Sequence, residues 1–195
     1  MTENASMGNC LEDLIRKAAV GDIEARHELY GIFAQRIFNF ILSMVKRRED
    51  AEDITQDTFV LAFRALHTLK EAGRFEQWLY RIARNEAYQR FRKRRTEETV
   101  FPGASTPEGD DADPTENSRN PEERVLGDEL ATVVQRALDT LPPKLREVFI
   151  LSVIHEKSYK EIAQIVGRSL LAVKTDIYRA RVFAKDSIRH YLKQG

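Results

Sequence analysis

Positive charge and aromatic rings are concentrated in one stretch of the chain, WLYRIARNEAYQRFRKRR at residues 78–95. Wound as a helix at about 100° per residue, this stretch places five side chains on one face: Arg81, Arg84, Tyr88, Arg92 and Arg95. Cations can follow a phosphate backbone while planar groups stack on exposed bases, which is how proteins hold single-stranded nucleic acid. The stretch therefore predicts a platform for single-stranded nucleic acid. A charged helix face turned to solvent is the alternative.

A second basic region, SYKEIAQIVGRSLLAVKTDIYRARVF at residues 158–183, has the pattern of a helix-turn-helix. Ser158 and Glu161 have the spacing of a capping box, so a helix is expected to begin near Tyr159. Gly167 suits a tight turn, and Ser169 can cap the helix that follows.

The second helix of this motif is expected to turn four apolar residues inward: Leu170, Val173, Ile177 and Ala180. The outward set carries the groups that bind phosphates and read base edges in duplex DNA: Arg168, Ser169, Ala172, Lys174, Thr175, Asp176, Tyr178, Arg179 and Arg181. An ordinary helical hairpin with a solvated charged face is the alternative.

Apolar residues recur at spacings of three and four in other segments, which is typical of amphipathic helices. One stripe runs through Leu29, Phe33, Ile37, Ile41 and Met44. A second runs through Ile54, Leu61, Ala62 and Ala65, and residues 128–141 carry a third. The Asn-Gly and Asp-Gly signals of β-hairpins are absent from the sequence, so we predict an all-α protein.

Charge divides the chain, although its 31 basic and 31 acidic residues leave it neutral overall. Residues 101–127 hold 2 basic and 7 acidic side chains among Pro, Gly, Ser and Thr. Such a segment has little to bury and is expected to be flexible. We therefore predict two small helical domains, at 1–96 and 128–195, joined by a flexible acidic linker at 97–127.

The composition argues against several other functions. Cys10 is the only cysteine, which excludes an internal disulfide and a cysteine zinc cluster. No cofactor or metal is expected, because the histidines are scattered: His27, His67, His155 and His190. The apolar run at 37–45 is too short to span a bilayer, and no export signal is recognisable. A cytosolic protein without membrane insertion is expected.

Four stretches in order resemble the bacterial extracytoplasmic-function (ECF, group IV) sigma factors over nearly the whole chain. Residues 21–33, GDIEARHELYGIF, are similar to the first helix of the sigma-2 domain. Residues 50–66, DAEDITQDTFVLAFRAL, are similar to its polymerase-binding helix. Residues 75–95 resemble the segment that melts and reads the −10 element, and residues 138–181 resemble sigma-4, which reads the −35 element.

The resemblance implies a promoter-specificity subunit of RNA polymerase with no active site. It implies that Asp53, Gln56 and Asp57 contact the β′ clamp helices, and that sigma-4 binds the β flap. It implies that the loop and helix from Arg74 through Arg92 read the −10 element, and that a base of the non-template strand flips out there. The residues expected around the flipped base are Phe75, Trp78, Arg81, Arg84, Asn85 and Tyr88. It also implies an anti-sigma factor as partner and a monomer when free.

Several alternatives remain open at the level of sequence. Phe75 and Trp78 suit a protein core as well as a base pocket. Asp176 either accepts a hydrogen bond from cytosine N4 or points away from DNA. A dimeric helix-turn-helix regulator and an enzyme with a DNA-binding tail are the competing functions. The regulator needs no melting helix, and the enzyme needs a nucleophile or a metal cage.

The acidic linker generates a first prediction, on the hypothesis that it mimics nucleic acid within a basic polymerase channel. Neutralising four of its acids should weaken the holoenzyme or alter abortive synthesis, because the electrostatic attraction would be lost: Asp110, Asp111, Asp113 and Glu116. Core-binding titrations and abortive-transcript assays measure both effects, and an unchanged result in both would exclude the hypothesis.

Overall fold

The computed structural model describes residues 2–45, 47–100, 138 and 140–192, and every regular element in these ranges is helical. The predicted all-α class is confirmed. The chain divides into two compact units, which are described separately. Within the described ranges, no helix is both long enough and apolar enough to cross a bilayer.

The N-terminal unit contains four α-helices: α1 (Thr2–Ala19), α2 (Ile23–Val45), α3 (Arg48–Ala65) and α4 (Phe75–Val100). Two short 3₁₀ turns, Leu66–Thr68 and Ala72–Arg74, connect α3 to α4. Helix α2 lies at the centre and packs against α1, α3 and α4. Helix α4 continues to residue 100, beyond the predicted domain end at 96, whereas residues 101–137 lie outside the described ranges.

The core of the N-terminal unit follows the apolar stripe predicted for α2. Every residue of that stripe is buried. Aromatic contacts join α2 to α4, since the ring centroids of Phe33 and Phe75 are 5.3 Å apart and those of Phe40 and Tyr80 are 5.2 Å apart. Burial raises the pKa of the Tyr80 hydroxyl, and the nearby Glu76 raises it further. Tyr80 is therefore a neutral core residue.

The stripe predicted for α3 is wrong at Leu61, which is 38% exposed, although Ile54 and Ala62 are buried. The inward face takes Thr55 and Thr58 instead. Their hydroxyls donate to the carbonyl oxygens of Ala51 and Ile54, at 2.6 and 2.7 Å. Because these hydroxyls are hydrogen-bonded within the helix, they can be buried without an unmatched polar group.

The C-terminal unit contains three helices: α5 (Pro143–Val153), α6 (Tyr159–Val166) and α7 (Leu170–Leu192). The stripe predicted at 128–141 lies mostly outside the described residues, but Leu138 and Leu141 are buried near Ala180 of α7. Val173, Ile177 and Ala180 of α7 are buried as predicted.

Leu170, also predicted to face inward, is 44% exposed. It begins α7 at a position about 60° around the helix from Val173, at the edge of the inward face.

The local geometry of the helix-turn-helix agrees with its sequence signals. The backbone N–H of Ser158 donates to Glu161 Oε2 at 2.8 Å, and the N–H of Glu161 donates to Ser158 Oγ at 3.3 Å. Gly167 has φ +66°, the left-handed conformation that a side chain disfavours. The N–H of Ala172 donates to Ser169 Oγ at 3.2 Å, which caps α7.

Candidate nucleic-acid interface

The outer face of α4 carries cations around an aromatic ring. Arg81, Asn85 and Arg92 are exposed, and Arg84 and Tyr88 are half-buried. The Arg84 guanidinium carbon lies 4.7 Å from the centroid of the Tyr88 ring, within cation–π range. A planar guanidinium and a ring are thus held together on a basic surface, an arrangement suited to stacking with unpaired bases. The side chain of Arg95 lies outside the described residues.

Three aromatic or basic residues near the start of α4 have different environments. Phe75 is 1% exposed and packs against Phe33, so of the two positions left open for it, protein core or base pocket, the structure has the core position. Its burial follows from its position at the first residue of α4, directly over α2. Trp78 is half-buried, with its ring centroid 6.1 Å from that of Phe75. Arg74 is exposed and forms a 2.7 Å ion pair with Glu71.

An acidic ridge, consisting of Asp53, Gln56 and Asp57, lies on the exposed side of α3. Partial burial raises the pKa of the Glu86 carboxyl on α4, and the charge of Asp57 raises it further. Glu86 of α4 therefore lies close enough to Asp57 to interact with it electrostatically. Such a surface attracts a basic partner.

Arg90 connects the acidic ridge to α4. Its guanidinium donates to Oδ1 of the buried Asp50, with Nη2 at 2.9 Å and Nε at 3.2 Å. The same Nη2 lies 3.6 Å from Oδ2 of Asp53. Arg90 therefore helps to hold α4 against α3, although it lies within the basic stretch at 78–95 that was predicted to bind nucleic acid.

The turn of the helix-turn-helix contains a buried charge cluster. Arg168 Nη2 donates to Glu147 Oε1 at 3.1 Å, and Arg168 Nη1 donates to Asp176 Oδ2. Glu147 is 0% and Asp176 is 6% exposed, and Lys144 Nζ lies 3.8 Å from Asp176. The outward position predicted for Arg168 is therefore wrong, and of the two alternatives left open for Asp176 the structure has the one in which it points away from the outer face. A buried carboxylate requires a cation, and Arg168 lies between two of them.

The other residues predicted to face DNA lie on the surface of the protein, on or next to α7, the second helix of the helix-turn-helix and its recognition helix. Lys174, Thr175, Arg179 and Arg181 are exposed, Ser169 is exposed while it caps the helix, and Ala172 is half-buried. The prediction omitted Leu171, which is 75% exposed. Leu171 was assigned to neither the inward nor the outward set, because its exposure depends on how α7 packs against α5.

Two sigma-70 family models match the chain. Sigma-70 region 2 matches residues 29–97, which include α3 and the basic face of α4. Sigma-70 region 4 matches residues 132–183, which include the helix-turn-helix. The chain belongs to the ECF group of the sigma-70 family.

Known relatives of this sigma factor agree with the assignment. The ECF RNA polymerase sigma factor SigE of Mycolicibacterium smegmatis is 35% identical over 162 residues, which are 82% of this chain and 60% of that protein. The ECF RNA polymerase sigma factor SigW of Bacillus subtilis is 29% identical over 177 residues, which are 90% of this chain and 95% of that protein.

Two solved structures have the same fold. One is the sigma factor RpoE in complex with the anti-sigma factor NepR from Bartonella quintana, with TM-score 0.69, 23% identity, and 84% of this chain and 96% of that chain covered. The other is CnrH in complex with the cytosolic domain of CnrY, with TM-score 0.66, 27% identity, and 92% and 97% covered.

No cluster of three or more metal-ligating side chains occurs among the residues with a described position. The surfaces described above are made of hydrogen-bonding, charged and stacking groups. They are suited to binding macromolecules.

The buried charge cluster generates a prediction about stability. Arg168→Met would leave the Glu147 carboxylate and the nearby Asp176 carboxylate without this guanidinium. We expect the C-terminal unit to lose about 3–5 kcal/mol, as when one member of a buried pair is removed. Hydrogen exchange of the α5–α7 amides measures the loss, because the single tryptophan, Trp78, reports on the N-terminal unit.

The matched control is Arg179→Met, which removes an exposed cation from the same helix. It should change stability by less than about 0.5 kcal/mol, as surface substitutions usually do. Equal amide protection in the two variants would contradict a structural role for Arg168.

Proposed function

We infer that this protein is a transcription initiation factor that binds RNA polymerase core and directs it to promoters. The observation that carries this inference is the match of sigma-70 regions 2 and 4 to one chain, in that order. The surfaces suit the two tasks. A cation–aromatic face on α4 suits unpaired −10 bases, and a basic recognition helix suits the duplex −35 element.

We propose that the acidic ridge of α3 docks on the β′ clamp helices of the polymerase. The ridge presents two carboxylates and an amide at spacings of three and four residues, so all three point to one side of α3. A basic coiled coil offers complementary charge along a similar length. The C-terminal unit is proposed to bind the β flap.

The −10 element is proposed to bind the outer face of α4, in the region from Trp78 to Arg92. Arg84 and Tyr88 provide a stacked pair of planar groups, with Arg81 and Asn85 exposed beside them. Flipping a base out of a duplex costs a few kcal/mol, which such contacts can offset. Phe75 supports this surface from the core and leaves the base contacts to its neighbours.

Regulation by an anti-sigma factor is proposed from the solved relatives. The sigma factor RpoE from Bartonella quintana, which has the same fold, was solved in complex with the anti-sigma factor NepR. CnrH, 27% identical to this chain, was solved with the cytosolic domain of CnrY. A partner that covers the acidic ridge would exclude the polymerase by direct competition. The free protein is proposed to be a monomer, located with the bacterial transcription machinery in the cytoplasm.

The docking proposal predicts a loss of core binding when the ridge charges are removed. Asp53→Asn combined with Asp57→Asn keeps side-chain shape and deletes two negative charges. We expect core binding about tenfold weaker, equal to roughly 1.4 kcal/mol, and a weaker dependence on salt. Titration of labelled protein with bacterial core polymerase measures both quantities.

Glu28→Gln, which neutralises an exposed acid on α2, is the matched control. It should bind core as the wild type does. If core does not bind the wild-type protein, and the protein alone protects duplex DNA, a dimeric helix-turn-helix regulator becomes the better description.

The melting proposal predicts that Tyr88→Ala slows promoter opening while core binding is retained. Loss of a base–aromatic stack costs about 1–3 kcal/mol, so opening should fall by about five- to 150-fold. Permanganate reactivity of −10 thymines in reconstituted holoenzyme measures the opening.

Tyr88→Phe keeps the ring and should open promoters nearly as the wild type does. A promoter with a preformed −10 bubble should recover part of the Tyr88→Ala defect, because the unpairing cost is then removed. Wild-type opening by Tyr88→Ala on duplex promoters would exclude Tyr88 from the melting surface.

A further inference from the structure

The solvent-facing side of the recognition helix α7 is more apolar than its sequence suggests. Leu171 is 75% exposed and Tyr178 is 69% exposed, and Thr175 lies between them on the surface. At about 100° per residue, all three lie within about 40° of the direction opposite the buried Val173. We call this set the groove ridge: Leu171, Thr175 and Tyr178.

Polar groups expected to read bases are engaged elsewhere. Arg168 and Asp176 bind each other within the buried cluster, and Ser169 Oγ accepts the capping hydrogen bond. The hydroxyl of Thr175 donates to the carbonyl oxygen of Leu171 at 3.0 Å. The large side chains exposed opposite the buried face of α7 are therefore Leu171 and Tyr178.

Cations flank the groove ridge on both sides. By helical position, Lys174 and Arg181 lie on one side, at about 80–100° from Val173, and Arg179 lies on the other, at about 240°. All three cations are exposed. The major groove has a complementary arrangement, since phosphates line both edges and thymine methyl groups project from the base pairs between them.

The length of the groove ridge matches a short segment of duplex. Leu171 and Tyr178 are seven residues apart, about 10.5 Å along the helix axis. This distance equals about three base-pair steps of 3.4 Å. Leu171 lies in the first turn of α7, and the first turns of recognition helices contact base edges.

We propose that Leu171 is a specificity-determining residue that contacts the C5-methyl group of a thymine in the −35 element. This inference rests on the proposed function, and it adds that part of the −35 sequence is recognised through apolar contacts. The flanking cations bind phosphates and position the groove ridge in the major groove.

The test replaces each −35 thymidine by deoxyuridine, which removes only the methyl group and keeps base pairing. Holoenzyme is reconstituted from the full chain and bacterial core, and its promoters are first selected from a randomised duplex library. At one thymidine we expect wild-type binding to fall about fourfold, the effect of losing one buried methyl group. Holoenzyme with Leu171→Ala should bind the thymidine-containing promoter more weakly than the wild type does. Its affinity should not fall further when that thymidine is replaced by deoxyuridine.

The matched control is Leu170→Ala, which shortens the neighbouring leucine. Leu170 is 44% exposed and lies outside the groove ridge. Its holoenzyme should keep the full wild-type penalty for deoxyuridine. Circular dichroism and core binding of both variants verify that they fold and assemble.

Three results would overturn the inference while leaving the proposed function intact. The wild type could be indifferent to deoxyuridine at every −35 position, or Leu171→Ala could keep the wild-type penalty. Leu171→Ala could also transcribe normally and instead lose binding to an anti-sigma factor, which would make the groove ridge a protein interface. Absence of any discrete initiation by the wild-type holoenzyme would overturn the proposed function together with this inference.

Discussion

The orientation of α4 depends on two aromatic contacts with α2. Phe75 packs against Phe33 and Tyr80 packs against Phe40, and both α4 rings are 1% exposed. Because Phe75 and Tyr80 lie about 140° apart around α4, rotation of α4 in either direction would pull one of the two rings away from α2. Exposing a side chain such as Phe costs about 1.5–3 kcal/mol. The outward direction of Arg84 is therefore set by residues that do not themselves touch nucleic acid.

The chain uses its cations for two different purposes. Arg90 and Arg168 neutralise buried carboxylates, of which Asp50 is 4% and Glu147 is 0% exposed. An isolated buried carboxylate would be strongly unfavourable, so these two arginines belong to the folded structure. The remaining exposed cations of α4 and α7 are the ones proposed to attract DNA phosphates. A neutral chain can thus present basic surfaces, because its charges are unevenly distributed and residues 101–127 hold 7 acidic but only 2 basic side chains.

Sequence reasoning succeeded where the determining contacts are local. The capping box at Ser158 and the positive φ at Gly167 depend on residues within one turn of each other. It failed where the partner is distant in sequence. Arg168 and Glu147 are 21 residues apart, and charge alone placed Arg168 at the DNA. Periodicity also missed the exposure of Leu171, since a leucine pair does not indicate which member faces the core.

In the proposed function, the Arg90 contacts couple the polymerase-binding ridge of α3 to the basic face of α4. Arg90 lies on α4 and donates two hydrogen bonds to Asp50, which is buried on α3. It also lies 3.6 Å from Asp53 of the acidic ridge. Docking that engages Asp53 can replace this longer contact and still leave the buried pair intact. The two helices would then move as one body, so a polymerase that binds α3 also fixes the direction of the basic face of α4. Less entropy is lost when DNA arrives, because the reading surface is already ordered.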